Sequence, residues 1–116
     1  MSNACVVLTT TASEEEALAI SQGLVENHLA ACVQRFQMTS VYEWNGTIEN
    51  LPEMLLLIKT TADRYEAVEA WLGAHHSYTI PEVLMLPVRR GSPGYLEWVA
   101  HAVSPTEGGP VVPPGG

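Results

Sequence analysis

The segment Trp44-Asn45-Gly46-Thr47 decides the fold predicted for this chain. Asn-Gly is the residue pair most typical of a two-residue hairpin turn, because a type I′ turn requires positive φ at both central positions. Strand-forming apolar and aromatic residues lie on both sides of the pair, over residues 29–44 before it and 47–60 after it. The sequence therefore predicts a long antiparallel hairpin.

Two further apolar runs, residues 4–10 and 80–88, predict one strand before the hairpin and one after it. A helical pattern separates each of these strands from the hairpin. The order strand, helix, strand, strand, helix, strand is that of the ferredoxin-like, split βαβ sandwich. We therefore predict an α+β fold with a long hairpin between the second and third strands and a short C-terminal helix.

The helices are predicted from capping residues and apolar spacing. Ser13 followed by Glu16 forms a capping box that opens a first helix over residues 13–28. Asp63 is expected to cap a second helix, and Ser92-Pro93 opens the short third one. The inner face of the second helix is expected to carry Tyr65, Val68, Leu72 and His75.

The strands at residues 54–58 and 83–86 are apolar at every position. In a ferredoxin-like fold both main helices lie on one face of the sheet, and the other face is commonly polar. A chain this short has no further element to cover a second apolar face. We therefore expect the protein to assemble with copies of itself through its sheets.

Composition limits both the organisation and the partners of the chain. Its 116 residues are 47% hydrophobic and carry a formal charge of −8 with five basic residues, which argues against nucleic acid and anionic membranes as partners. Residues 1–103 are predicted to form one domain, and the Pro/Gly-rich residues 104–116 a tail. Two cysteines, no secretory pattern and no apolar run of membrane-spanning length lead us to expect a cytoplasmic protein.

Several ordered segments resemble the CutA family, the divalent-cation tolerance proteins, and together they cover roughly residues 5–103. The matching segments are Val6-Val7-Leu8-Thr9-Thr10, Leu29-Ala30-Ala31-Cys32-Val33, Ser40-Val41-Tyr42-Glu43-Trp44-Asn45-Gly46-Thr47-Ile48-Glu49, Leu57-Ile58-Lys59-Thr60, His76-Ser77-Tyr78-Thr79-Ile80-Pro81-Glu82-Val83 and Tyr95-Leu96-Glu97-Trp98. The resemblance implies a ferredoxin-like protomer in a tight trimer, an architecture shared with PII-type signalling proteins. It also implies a role in tolerance of copper and other divalent metals.

Two positions depart from the family pattern. Ser77 stands where the family usually has proline, so the turn after the second helix is less rigid. Thr9 stands where some bacterial members have a cysteine that is counted as a copper ligand. Loss of a soft thiolate weakens the expectation of Cu(I) binding.

His75 and His76 are the candidate metal ligands, with Cu²⁺ or another divalent cation as the candidate metal. Adjacent side chains diverge by roughly 100° on a helix, so this pair alone cannot chelate one ion well. Glu53, Glu82 and Cys32 are candidate partners, from the same chain or a neighbouring subunit. Alternatively, both imidazoles are ordinary surface or core residues.

Lys59 ends an apolar strand in a chain with few cations. One interpretation is that it neutralises a carboxylate at a subunit junction. The other is that it forms the anion-binding floor of an intersubunit pocket, since aromatic walls with a few polar groups are typical of ligand sites and of interfaces. The candidate wall residues are Trp44, Tyr78, Tyr95 and Trp98, with Cys32, Glu53 and Glu82 nearby.

The predicted function is that of a trimeric, cytoplasmic, copper-associated tolerance or homeostasis protein. The alternative is a PII-like regulatory trimer that senses a small ligand in its intersubunit clefts. No nucleophile elbow, phosphate loop or HExxH pattern is present, and we expect no enzymatic activity and no organic cofactor.

Overall fold

The computed structural model describes residues 3–104. Most of the predicted tail, residues 105–116, lies outside this range. The elements are β1 (Ala4–Thr11), α1 (Glu14–Glu26), β2 (Cys32–Trp44), β3 (Thr47–Thr61), a 3₁₀ turn (Ala62–Arg64), α2 (Tyr65–His75), β4 (Leu84–Pro87) and α3 (Pro93–Ala102). Within the described range no helix is long and apolar enough to cross a membrane.

The four strands form one antiparallel sheet in the order β2-β3-β1-β4, so the predicted α+β, ferredoxin-like fold is confirmed. The hairpin pairs without interruption from Cys32 opposite Lys59 to Trp44 opposite Thr47. Its turn has φ values of 51° at Asn45 and 79° at Gly46, as a type I′ turn requires. The hairpin extends well beyond β1, whose pairing with β3 ends at Thr11.

One face of the sheet packs against α1 and α2 and holds the core. Side chains alternate between the two faces along a strand, so Val7, Leu56 and Ile58 point to the helices and are fully buried. The helices contribute apolar residues at three- and four-residue spacing to the same cluster. These are Ala17, Ile20 and Leu24 of α1 and Val68 and Leu72 of α2.

The opposite face, here named the open sheet face, is apolar and largely uncovered. The register places on it the alternate residues of all four strands, among them Val6, Leu8, Phe36, Leu55, Leu57, Leu84 and Leu86. Phe36, Leu84 and Leu86 are each about half exposed, at 48%, 52% and 49%. The α3 helix covers one end of this face, where Val99 and Val103 pack on Ala31.

The N-terminal cap of α1 is as predicted, whereas that of α2 is not. Ser13 Oγ accepts a hydrogen bond from the Glu16 backbone N–H at 3.1 Å. Asp63 instead lies in the 3₁₀ turn and accepts a hydrogen bond from Asn3 Nδ2 at 2.8 Å, while α2 begins after Arg64 without a side-chain cap. The tight turn places Asp63 one residue too early to reach the free N–H groups of α2.

The other corrections concern the ends of elements. α1 ends at Glu26, before the predicted residue 28, because His28 adopts a positive φ of 57° that a helix cannot accommodate. His75, predicted on the inner face of α2, is exposed at the last position of that helix. The last strand covers only Leu84–Pro87 of the predicted residues 80–88, and its side chains are exposed in the single chain.

Two buried threonines differ in whether the side-chain hydroxyl has a hydrogen-bond partner. Thr9 and Thr60 are both fully buried. The Thr60 hydroxyl donates to the Leu29 carbonyl at 2.7 Å, whereas Thr9 Oγ1 has no hydrogen-bond partner. A buried hydroxyl without a partner costs about 1–3 kcal/mol, a cost that a methyl group of the same shape avoids.

We predict that Thr9→Val raises the free energy of unfolding by about 1 kcal/mol, because it removes an unpaired polar atom. Thr60→Val is the matched control and should lower it by about 1–3 kcal/mol, since the Leu29 carbonyl loses its donor. Urea unfolding at one fixed protein concentration measures both changes. Equal destabilisation by the two substitutions would contradict the assignment of Thr9 Oγ1 as unpaired.

Candidate functional site

The segment between α2 and β4 is anchored by the imidazole of His76, whose side chain is completely buried. Its Nε2 lies 2.7 Å from the Thr10 carbonyl, to which it must donate. The Tyr78 backbone N–H donates to Nδ1 at 3.0 Å. Together these bonds require the neutral tautomer with its proton on Nε2. His76 therefore ties this segment to β1 just beyond Leu8, where the pairing of β1 with β4 stops.

The two histidines of the predicted metal pair have different hydrogen-bond partners in this structure. A metal needs a ring-nitrogen lone pair, and in His76 the Nδ1 lone pair is used by Tyr78 while Nε2 carries a proton. His75 directs its Nδ1 to the Trp71 carbonyl at 2.8 Å, which leaves only its Nε2 for another partner. Among residues 3–104 no group of three or more His, Cys, Asp or Glu side chains could hold an ion.

Ser77 adds a second anchor to the same segment. Its backbone N–H and its hydroxyl both donate to the Glu16 carboxylate, at 2.8 and 3.0 Å. A proline at this position could make neither bond, because it lacks both donors. Two hydrogen bonds to the first turn of α1 thus restrain this segment, where a proline would restrain it through its ring.

His75 belongs to a separate surface cluster between the two main helices. Its ring stacks on Trp71 with centroids 3.9 Å apart and an angle of 17° between the planes. Trp71 in turn lies against Gly23 of α1, where an added Cβ would come within 2.4 Å of the indole ring. The missing side chain at Gly23 therefore allows the close approach of α1 and α2 at this point.

Tyr78 crosses from this anchored segment onto the open sheet face and donates a hydrogen bond to Glu53 Oε2 at 2.9 Å. Burial, followed by this bond to a carboxylate, raises the pKa of Tyr78 to about 12. The phenol therefore keeps its proton at physiological pH and remains a donor to Glu53.

A cavity of about 660 Å³ opens beside the Tyr78–Glu53 pair and is here named the aromatic cavity. It brings together four of the predicted pocket residues with several that were not predicted. The lining residues are Thr10, Tyr42, Trp44, Glu53, Tyr78, Thr79, Ile80 and Glu82. Trp44, at the tip of the hairpin, is 59% exposed.

The other predicted pocket residues lie in a different place within the chain: Tyr95 and Trp98 belong to α3, and Cys32 and Lys59 lie near that helix. Lys59 Nζ donates to Gln34 Oε1 at 2.8 Å and lies 5.9 Å from the centre of the Tyr95 ring. Burial raises the pKa of the Tyr95 hydroxyl, and the nearby Cys32 thiol raises it further. Lys59 is six residues from Glu53 along β3, a distance of roughly 20 Å. Within one chain Lys59 therefore does not line the aromatic cavity, and its place in a pocket between subunits stays a prediction.

Sequence reasoning missed Tyr42, although a signal for it existed. Tyr42 precedes Trp44 by two residues on one strand, and alternation places both side chains on the same face. The Glu16–Ser77 contact had no such signal, because it joins residues 61 positions apart through the packing of α1 against the turn.

Comparison with known proteins agrees with this fold. Residues 5–102 match the model of a family described as CutA1 divalent ion tolerance protein. The chain belongs to the CutA family. A divalent-cation tolerance protein CutA of Thermus thermophilus is 43% identical over 95 residues, which are 81% of this chain and 92% of that relative.

Two further relatives extend the comparison. A CutA homologue of Xenopus laevis is 45% identical over 85 residues, 72% of this chain, and this chain spans only 56% of its length. A solved CutA structure from Archaeoglobus fulgidus, described as a periplasmic divalent cation tolerance protein, matches with a TM-score of 0.85 and 35% identity. That match covers 87% of this chain and 99% of the other. Family membership and fold are thus established together.

The two adjacent histidines of this CutA chain should differ in their effect on stability. We predict that His76→Ala lowers the free energy of unfolding by about 2 kcal/mol or more, because it leaves the Thr10 carbonyl and the Tyr78 N–H without partners. His75→Ala should cost less than about 1 kcal/mol, since the ring stack and the hydrogen bond to the Trp71 carbonyl that are lost are both exposed to solvent. Thermal and urea unfolding measure both. A larger loss for His75→Ala would contradict the anchoring role of His76.

Proposed function

We propose that this CutA-family protein acts as a cytoplasmic homotrimer in divalent-cation tolerance, associates with copper, and has no enzymatic activity. Family membership establishes the link to cation tolerance. The trimer, the metal, the compartment and the absence of catalysis are our inferences. The observation that carries the proposal is the open sheet face of a chain whose two main helices both pack on the other side.

An exposed apolar face of this kind supports self-assembly. Soluble monomers rarely expose contiguous apolar patches larger than a few hundred Å². The half-exposed Phe36, Leu84 and Leu86 are continuous across the sheet with Leu55 and Leu57. The hairpin projects beyond β1 and can reach a neighbouring subunit. Three such faces closed around an axis would bury well over ~2,000 Å², which is typical of obligate assemblies.

We predict that Leu57→Glu dissociates the assembly, because a carboxylate would be buried in an apolar interface. Sedimentation equilibrium should give a trimer mass for the wild type and a smaller, less stable species for the variant. Glu43→Gln, an exposed change on the hairpin, is the control and should remain trimeric. A wild-type chain that is folded and monomeric at low micromolar concentration would refute the proposed trimer.

Copper association is proposed at His75 alone. Its Nε2 is the free ring nitrogen of the predicted pair, and Cu²⁺ is the divalent first-row ion that such ligands bind most tightly. A single imidazole binds weakly, so tight binding would require ligands from a neighbouring subunit. The stacked Trp71 provides a local reporter, since a paramagnetic ion bound to His75 would lie close to the indole ring.

We predict that Cu²⁺ quenches the fluorescence of Trp71 and that His75→Ala removes this quenching, while Zn²⁺ has little effect. The matched control is His28→Asn, which alters another exposed imidazole and keeps a residue type that tolerates the positive φ there. Titration of protein purified without an affinity tag gives the measurement. Unchanged quenching in His75→Ala would exclude His75 as the ligand.

The cysteines support the proposed compartment and the absence of catalysis. Cys5 and Cys32 are both free thiols. Burial, followed by the charge of Asp63, raises the pKa of the Cys5 thiol, which makes it a poor nucleophile. Cys32 lies near Tyr95 at the α3 end, and both ring nitrogens of His76 are engaged elsewhere. A thiolate–imidazole pair between Cys32 and His76 is therefore not formed.

A further inference from the structure

The aromatic cavity is a second candidate site, distinct from His75 and from the Lys59 group. We propose that it binds an organic monocation, an ammonium compound with a small apolar body. This inference does not depend on the proposed metal association. It rests on the shape, the charge and the ring arrangement of the cavity.

The charge that one chain gives the cavity favours a cation over the anion expected at Lys59. Among residues 3–104, no Lys, Arg or His side chain lines it, while two carboxylates, Glu53 and Glu82, do. Glu53 accepts from Tyr78 through Oε2, so its other oxygen is available to a ligand. Lys59 lies roughly 20 Å away along β3. The formal charge of −8 on the whole chain adds to the attraction for a cation.

Three aromatic side chains, Tyr42, Trp44 and Tyr78, share this cavity with the two carboxylates. The face of an aromatic ring carries negative electrostatic potential and attracts ammonium groups within about 6 Å of the ring centre. Alternation along the hairpin places Tyr42 and Trp44 on the same face as Glu53, with Tyr42 the nearer of the two in the strand register, so the rings and the carboxylate line one elongated cavity. This combination is typical of sites for substituted ammonium ions.

The size and the ligand set favour an organic cation over a metal ion. At about 660 Å³ the cavity is within the range of small-molecule sites, roughly 300–1,000 Å³. A bare divalent ion needs several oxygen or nitrogen ligands at 2–2.6 Å. In the part of the chain that the structure describes, no three metal-ligating side chains are close enough to supply them. An ammonium ion with methyl or methylene groups can instead contact rings and carboxylates together.

Isothermal titration with choline, compared with its neutral carbon isostere 3,3-dimethylbutan-1-ol, tests the proposal on the full chain in its purified assembly. Choline should bind saturably, and the isostere at least about tenfold more weakly, because it lacks the charge. Glu53→Gln keeps the shape of the side chain and its ability to accept from Tyr78, and should weaken choline binding about tenfold. Trp44→Leu should have a comparable effect.

Glu43→Gln is the matched control, since it removes the same charge from the hairpin at a residue that does not line the cavity, and choline binding should be retained. Three results would overturn the proposal. If choline and the isostere bind equally well, the site is merely apolar. If choline does not bind saturably at millimolar concentration, a second copy of the chain fills the cavity. Displacement of choline by Cu²⁺ would assign the cavity to a metal ion.

Discussion

The structure depends on β3 being apolar on both faces. Met54, Leu56 and Ile58 pack against α1 and α2, and the intervening Leu55 and Leu57 lie on the open sheet face. A strand of this kind must occupy a central position, and β3 does so, with β2 on one side and β1 on the other. It also carries two polar residues of the candidate sites, Glu53 near its middle and Lys59 near its C-terminal end. The core and the open sheet face thus both depend on one strand.

The fold could be predicted from sequence because its signals are local. The Asn45-Gly46 turn, the Ser13 cap and the apolar run of β3 each depend on a few neighbouring positions, and each is found as predicted. Predictions failed where a short-range rule competed with a tertiary contact. Asp63 was expected to cap α2, but an intervening 3₁₀ turn leaves it bonded to Asn3. Residues 80–83 were expected in β4, but they line or flank the aromatic cavity instead.

The candidate site was less predictable because its residues come from distant parts of the chain. Trp44, Glu53, Tyr78 and Glu82 were named as members of one pocket, and they do meet. Lys59 was predicted in the same intersubunit pocket, and within one chain the rise of the strand separates it from Glu53 by roughly 20 Å. The His75–His76 pair looked like a metal motif, yet it lies across a helix end. There the first imidazole remains on the surface, and the second turns inward to bind Thr10 and Tyr78.

His76 and Ser77 link this local structure to the open sheet face. Together they fix the segment after α2 to β1 and to the start of α1, through Thr10 and Glu16. Tyr78, the next residue, is thereby directed across the sheet edge to Glu53. The buried imidazole of His76 favours one conformation of this segment, because leaving its ring nitrogens without partners would carry a desolvation cost. The histidine of the family-like motif therefore acts as a positioning residue for the aromatic cavity. A substitution at His76 that altered ligand or metal behaviour could do so through Tyr78, without any bond from the imidazole to an ion.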